Sequence, residues 1–493
     1  MSLNYLITVN WLMFSSFAIA ALVLVYLFHI NCLLKAVPSE VQKVSARRWT
    51  KEQLRSTYDD LNKHPVDYTS KIPPKLDRRY IVTGGNGLVG GFIVLQLLAR
   101  GTPPLNIRIV DIRKSERNDM TTGPAAEVEF IPTDIRSATA VTAAFDKPWD
   151  SSVSHLPLTV FHTAAVILAS DRSKYLYAFP YAVNVEGTKN ILAAAKAVGA
   201  DIFSSTSSAS IGIRPVDPWV SFWATEPRNF WQILDERDFN HPMGTRKDFL
   251  GNYPLSKATA ERLVCAENCN GFRTGCIRPA NGVYGNPADN ILGGPISKSV
   301  LPTFIAHVIQ NFAHGANVAI AHLQHEAVLL SNDHVENIVQ AGRPFVVTDP
   351  NPPIAFSDLY NAISTLCIHP FRTLVLPPAP LLVFSHIVEW YNELPYRLPL
   401  LARFIPQITG DARHLQPGLF SICTHLIASD AEARKAVAQG GLGYEGVMTT
   451  MQGMVLEILE WNREHEAHQE SDGAASVAKK KLYTTSVMLA DQL

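Results

Sequence analysis

Hydrophobic positions along this chain fall into three patterns, each predicting a different kind of element. The first 34 residues contain no Lys, Arg, Asp or Glu. Within them Trp11 to Phe28 reads WLMFSSFAIAALVLVYLF, and further apolar residues follow. Such a run can cross a hydrocarbon core of about 30 Å as a helix of about 20 residues. Tyr5, Trp11, Tyr26 and Phe28 stand near its ends, where aromatic rings favour a membrane interface. Lys35, Lys43, Arg47, Arg48 and Lys51 all follow it, which predicts an N-terminus outside and the remainder in the cytosol. A cleaved signal peptide would carry a basic leading segment and a shorter apolar core. The expectation is therefore a retained single-pass anchor over residues 1–35, followed by a polar, proline-containing linker or docking segment over 36–76.

The second pattern is an alternation of short β-type runs with helical periodicity. Tyr80-Ile81-Val82 leads into a glycine-rich turn, and Phe92 to Ala99 continues as an apolar helix. Strands are expected at Asn106 to Val110, Val128 to Ile131, Leu158 to His162 and from Asp201 to Ser205, with a helix over Val183 to Ala197. This alternation predicts an α/β fold with a Rossmann-type, doubly wound parallel sheet. The third pattern is less regular. Pro353 to Thr365 and Met448 to Trp461 have helical spacing. Leu374 to Val388 is apolar but contains Pro377, Pro378 and Pro380, which argues against a spanning helix and for a buried segment, with a membrane-resting surface as the alternative. The expected organisation is a dinucleotide-binding domain over 77–340 that carries the catalytic residues, a smaller C-terminal substrate lobe over 341–465 and a polar tail over 466–493.

The turn itself carries chemistry. Arg79 to Gly91 reads RYIVTGGNGLVGG, so Gly84, Gly87 and Gly90 have G-x-x-G-x-x-G spacing. In that arrangement the first glycine permits the tight turn, the second lets backbone approach a pyrophosphate, and the third lets helix pack on strand. The helix N-terminus then presents N–H groups to phosphate. Asp111, at the end of the second strand, is placed to bind the adenosine ribose hydroxyls and predicts NAD rather than NADP, although Arg113 nearby could reach a 2′-phosphate. Small residues after His162, among them Ala164, suit a backbone lying against a flat cofactor.

Downstream, YPLSK places Tyr253 and Lys257 four residues apart, on one face of a helix. A phenol has a pKa of about 10 and is a weak base at neutral pH. A neighbouring ammonium and a positive nicotinamide ring would lower it. Tyr253 could then accept the proton of a substrate hydroxyl as hydride leaves carbon. The run SSTSSAS, Ser204 to Ser210, ends a strand and offers a hydroxyl to hold the substrate oxygen.

Composition narrows the field. Of 493 residues, 47% are hydrophobic and 18% charged, with a net charge of −1. That excludes a disordered chain and gives no support for nucleic-acid binding. Six scattered cysteines do not form a disulfide framework, and the Cys265/Cys269 pair lacks partners for a metal site, so buried thiols and no metal are expected.

With these motifs in order, the chain resembles the extended short-chain dehydrogenases/reductases, and among them the 3β-hydroxysteroid dehydrogenase/isomerase family, including sterol-4α-carboxylate 3-dehydrogenases. The resemblance rests on TGGNGLVGG, Asp111, Asp134-Ile135, HTAA (His162 to Ala165), NVEGTKN (Asn184 to Asn190), TSS (Thr206 to Ser208), YPLSK, RPANGVYG (Arg278 to Gly285) and LGY (Leu442 to Tyr444), spanning about residues 79 to 465. It implies Ser208, Tyr253 and Lys257 as the catalytic trio, with Ser207 the alternative if the strand register shifts by one. It also implies Asp134 and Ile135 as adenine contacts, Asn184 as a helix-start residue near the site, and Arg278-Pro279 as part of the loop closing over the cofactor. The implied activity is oxidation of a 3β-hydroxyl on a sterol, steroid or triterpenoid, with loss of a 4-carboxylate if one is present. The implied setting is the endoplasmic reticulum membrane, with a hydrophobic substrate, the lipid bilayer as partner and a homodimer left open. An NADPH-dependent ketoreductase, a sugar-nucleotide enzyme and a catalytically silent cofactor binder are the alternatives.

Two departures from the family pattern stand out. Ser208 and Tyr253 are 45 positions apart (253 − 208), and the insertion between them contains the aromatic stretch Trp219 to Trp231, read equally as a substrate lid or a surface loop with its own small core. Gly342 follows Asn337 by five positions, as if part of a helix were missing.

Overall fold

The structure, a computed structural model, describes residues 3–286, 289, 291–330 and 338–472. The chain opens with helix α1 (Leu3–Leu34), which continues past the predicted anchor core. Its outer half is bare, with Trp11 67% and Phe17 80% exposed, whereas Ile30 and Leu34 are buried against the body. At 1.5 Å per residue the helix is about 48 Å long, and by length and composition it can cross a membrane. Helix α2 (Lys51–Lys63) starts at a capping box, in which the Thr50 hydroxyl accepts from the Gln53 N–H and the Gln53 side chain accepts from the Thr50 N–H.

The centre is a seven-stranded sheet made of β1 (Arg79–Thr83), β2 (Ile107–Asp111), β3 (Glu129–Pro132), β4 (Leu158–His162), β5 (Ile202–Thr206), β6 (Arg273–Pro279) and β7 (Pro344–Val347). The spatial order is β7-β6-β5-β4-β1-β2-β3, and every pair is parallel. Side chains alternate across it. Tyr80 and Val82 face α3 (Leu88–Ala99), while Ile81 faces the cluster of α4 (Ala138–Asp146) and α5 (Gly187–Ala197). Next in the chain, α6 (Asn252–Ala266) joins the α5 side and α7 (Gly315–Leu330) packs on α3. Helices on both faces explain why these strands read as continuous apolar runs. The chain leaves β1 towards β2 on one side and returns through β4 on the other, so the sheet has a switch point between β1 and β4, where such sheets hold ligands.

Beside this layer four short strands, Trp231–Leu234, Ile309–Gln310, Ile354–Ala355 and His425–Ala428, form a second sheet. Helices α8 (Pro378–Arg397), α9 (Pro417–Ile422) and α10 (Thr450–Asp472) complete the smaller lobe. A core of Trp49, Leu54, Leu61, Leu359, Ile458 and Trp461 ties α2 to α10.

Several expectations need correction. Of the two readings of 36–76, the docking segment is the one observed, because α2 buries Leu54 and Leu61 under α10. The boundary at residue 340 falls short of β7, which completes the central sheet by pairing with β6. The prolines at 377, 378 and 380 do not break the apolar segment. They stand at the start of α8, where the first N–H groups have no helical partner to lose. The aromatic insertion is neither a lid nor a self-contained loop. Tyr26 of α1 stacks on Trp219, meets Phe222 edge-on and donates its hydroxyl hydrogen to the Val220 carbonyl at 2.9 Å. Phe230 joins Ile30 and Leu34 in one cluster, so the insertion is a collar around the inner end of α1. Cys265 and Cys276 are buried, but Cys269 lies beyond the end of α6 and is exposed. No metal-holding cluster exists among the described residues. Residues 332–337 of the shortened element and the tail beyond 472 lie outside the described residues.

Candidate active site

The glycine turn follows β1 because only glycine fits there. Gly84 has a φ of +69°, and a Cβ on it would lie 2.6 Å from the Ala164 nitrogen after β4. A Cβ on Gly90 would run into the Gly84 carbonyl and the Thr163 hydroxyl. Thr163 donates to the Thr83 carbonyl at 2.8 Å, which locks the ends of β1 and β4 at this close approach. Gly87 then caps the start of α3 without a side chain, leaving the helix N-terminus open to the cleft.

Asp111 closes the far side of the turn. Its carboxylate accepts the Asn86 N–H at 3.0 Å and the Ile112 N–H at 2.7 Å, while burial pushes its pKa up against those bonds. Asn86 also donates its side-chain amide to the Arg113 carbonyl at 2.7 Å. Asn86 was not singled out from the sequence, and its place inside TGGNG was the available signal. Asp134 pairs with Arg136, whose guanidinium holds the carboxyl below its usual range. Ile135 is buried, and a Cβ on Gly187 at the start of α5 would meet its side chain at 2.6 Å.

Helix α6 is fixed at its first turn. The Asn252 N–H donates to the Asp171 carbonyl at 2.7 Å, and its side-chain amide donates to the Ser173 carbonyl at 2.9 Å. This aims Tyr253 and Lys257 at the end of β5. Lys257 donates to the Thr206 carbonyl at 2.7 Å, and burial lowers its pKa to about 8. Tyr253 departs from expectation: burial pushes its pKa up to about 12, with a hydrogen bond from Ser208 opposing it in part. Burial of the phenol is the largest cause, and it is Ser208, not Lys257, that opposes it.

The two candidate serines face different surroundings. Ser208 meets the Ser210 hydroxyl at 2.8 Å and lines the cleft beside Tyr253. Ser207 donates to the Glu261 carboxylate at 2.6 Å, inside a buried network with Arg278 and Asp238. Arg278 itself is turned away into that network, and only its neighbour Pro279 reaches the cleft, which corrects the expectation that both close over the cofactor. Asn184 bridges main chain and α6. It accepts the Val166 N–H at 2.9 Å and donates to the Val166 carbonyl and the Ser256 hydroxyl, all from within a π-helical turn over Ala182–Glu186. Such turns often mark functional sites. His162 bridges Thr83 and Thr188 below the cleft, and burial lowers its pKa to about 3, so it is neutral.

One cavity of about 630 Å³ is lined by Gly84, Gly87, Gly90, Asp111, Asp134, Ile135, Ala164, Ser208, Tyr253 and Lys257 together. Its other end is built by the smaller lobe, from Ile305, Gln310, Phe356, Leu419, Ile422 and Cys423. These lobe residues were not foreseen, because they lie in separate short elements with no shared spacing. The cradle that a Cβ would fill, the open helix N-terminus and the carboxylate at the end of β2 fit a dinucleotide.

Comparison with known proteins agrees with this geometry. A family profile described as the 3-beta hydroxysteroid dehydrogenase/isomerase family matches residues 81–217, and one described as Male sterility protein matches 154–339. A 3 beta-hydroxysteroid dehydrogenase/Delta 5-->4-isomerase of Mycobacterium tuberculosis is 27% identical over 76% of this chain and 88% of its own length. A decarboxylating sterol-4-alpha-carboxylate 3-dehydrogenase of Candida albicans is 22% identical over 78% of this chain and 97% of its own. Among solved structures, a UDP-glucose-4-epimerase from Stenotrophomonas maltophila, with bound NAD and a sugar nucleotide, covers 79% of this chain and 99% of its own at a TM-score of 0.51 and 14% identity, which establishes a common fold. The chain is an NAD-binding oxidoreductase acting on CH–OH groups, similar over residues 81–217 to the 3-beta hydroxysteroid dehydrogenase/isomerase family.

Proposed function

We propose that this protein is a membrane-anchored dehydrogenase that oxidises the 3β-hydroxyl of a sterol, steroid or triterpenoid to the ketone. NAD bound in the cleft supplies the hydride acceptor. Ser208 holds the substrate oxygen by a hydrogen bond. Tyr253 takes the hydroxyl proton as the C–H bond breaks, and Lys257 holds the nicotinamide ribose. Gly84, Gly87 and Gly90 cradle the pyrophosphate, Asp111 receives the adenosine ribose hydroxyls, and Asp134, Ile135 and Ala164 border the adenine and the ring plane. When a 4-carboxylate is present, the product is a β-keto acid. Its C4–carboxylate bond then breaks, carbon dioxide departs, and the electron pair passes to the ketone as an enolate that water protonates. No further catalytic residue is needed.

The observation that carries this reading is the shape of the cavity: one end holds the polar trio and the glycine cradle, and the other is walled by Ile305, Phe356, Leu419 and Ile422. An apolar, ring-sized wall suits a polycyclic lipid better than a sugar nucleotide. The names of the relatives support the same substrate class. The test is turnover of a 3β-hydroxysteroid with NAD by the purified full chain, beside its Tyr253→Phe variant. The expected result is a loss of kcat by about 10²–10⁴ on losing the proton acceptor, with NAD affinity retained. Unchanged turnover in Tyr253→Phe overturns the assignment. A preference for NADPH and a ketone substrate would instead favour the ketoreductase reading, for which Arg113 beside Asp111 is the relevant contact.

A further inference from the structure

The geometry points to a second membrane contact besides α1: we propose that the outer face of α8 and the following loop rest in the bilayer interface, so that the substrate end of the cleft opens toward lipid. This rests on reading α1 as an anchor and the substrate as lipid-borne.

The argument starts from where the body releases α1. Ile30 and Leu34 are buried, whereas Leu24 and Val25 are exposed. From Leu3 to Val25 the helix is about 34 Å long at 1.5 Å per residue, which matches a hydrocarbon core of about 30 Å. The bilayer surface therefore falls near Tyr26. Helix α8 runs beside α1 in the opposite direction. Its Ala379 N–H donates to Asn31 at 3.4 Å, Leu382 packs in the cluster of Ile30 and Leu34, and His386 meets Trp219, which in turn stacks on Tyr26. By residue 386, then, α8 has climbed to the level of that surface.

What α8 presents there is apolar. Phe384, Ile387 and Trp390, three residues apart, are each more than half exposed and share one face. The opposite face is satisfied by the body, through buried Leu382, Ser385 and Val388 and an ion pair from Glu389 to Arg172. Beyond the helix, Leu400 is 90% and Phe404 68% exposed, and across α1 the collar offers Trp223 at 86%. A soluble surface seldom gathers such side chains, and contiguous exposed patches mark interaction sites. The occupant is lipid because the patch flanks a helix that itself reaches about the thickness of a bilayer, and because Trp at this depth suits the interface. The consequence for the site is direct. Helix α8 packs on α9, and Leu419 and Ile422 of α9 line the apolar end of the cavity.

The test uses the full chain in phosphatidylcholine vesicles, with exposed Cys32 and Cys269 changed to Ser. An environment-sensitive fluorophore is attached in turn at Ile387→Cys, Leu400→Cys and, as a control within α1, Phe17→Cys. Quenching by a doxyl-labelled lipid is expected at all three, deepest at Phe17. Quenching at Phe17→Cys with none at the other two overturns the proposal, as does lipid-independent self-quenching at Ile387→Cys, which would mean a second copy covers the face. In a second arm, Ile387→Glu/Leu400→Glu should raise the KM for a vesicle-borne 3β-hydroxysteroid at least ten-fold and leave its kcat in detergent micelles unchanged. An unchanged KM in vesicles counts against the proposal. Failure of the unsubstituted protein to turn over the steroid even in detergent would sink the function reading, while the fluorescence still decides the docking.

Discussion

At the scale of single residues, the division of labour between Ser207 and Ser208 is the sharpest consequence of the fold. Successive residues at a strand end point to opposite sides. Both residues border the cavity, but the Ser208 hydroxyl meets Tyr253 there while the Ser207 hydroxyl is taken up by the Glu261 carboxylate. Ser208→Ala should lower kcat/KM by about 10²–10³, the cost of removing one hydrogen-bond donor from a reacting oxygen, with an unchanged melting curve. Ser207→Ala should leave turnover per folded molecule intact and cost about 1 kcal/mol of stability by removing one hydrogen bond from a buried carboxylate that Arg278 still pairs, read by denaturant unfolding. Exchange of these two outcomes would move the trio by one register. Lys257 gives a pH prediction. Its ammonium is lost as pH rises through about 8, so NAD affinity by calorimetry should weaken between pH 7 and 9, and Lys257→Met should be weak at both and flat. The sequence made Tyr253 and Lys257 legible because four residues on a helix is a local relation. It could not reveal that burial, not the ammonium, dominates the Tyr253 pKa, because burial of that phenol depends on distant chain segments.

At the scale of elements, the glycine turn and α8 show opposite sides of what a pattern can carry. The turn was readable because each glycine answers a close approach of backbone within one βα unit. Gly90→Ala should weaken NAD binding at least ten-fold, about 1.4 kcal/mol, since its Cβ would meet the Gly84 carbonyl. Gly87→Ala should cost less, as its Cβ would lie 3.2 Å from the same oxygen. Nucleotide fluorescence titration separates them, and equal effects would mean that the turn relaxes freely. Helix α8 was less legible because three prolines look like an interruption wherever they fall, although in a first turn they remove no helical hydrogen bond. Its partner surface was equally hidden. The collar contacts join Tyr26 to Trp219 and Phe222, nearly two hundred positions away, and no local spacing encodes that meeting.

At the scale of the whole molecule, α1 is two things in one helix, and a truncation series should separate them. Among the described side chains of its outer part, Trp11 and those from Met13 to Val25 are exposed, so a chain lacking residues 1–24 should keep its unfolding midpoint, oxidise a steroid in detergent at the full rate and appear in the supernatant after carbonate extraction. Its inner part is core. Removing residues 1–35 also takes away Ile30 and Leu34, which are buried with Phe230, Leu382 and Phe420, and it removes the partner of the collar. Burying one such aliphatic side chain is worth about 1.5–3 kcal/mol, so the longer truncation should lose several kcal/mol, seen as a clear drop in the denaturant midpoint and in steroid turnover. The smaller lobe should be hit first, since the collar and α8 both lean on this stretch and α9 transmits the loss to the apolar wall of the cavity. NAD binding, held by the distant turn after β1, should survive longer than steroid binding as denaturant rises. If the two truncations behave alike, the inner end of α1 contributes nothing to the lobe, and the anchor is only a tether.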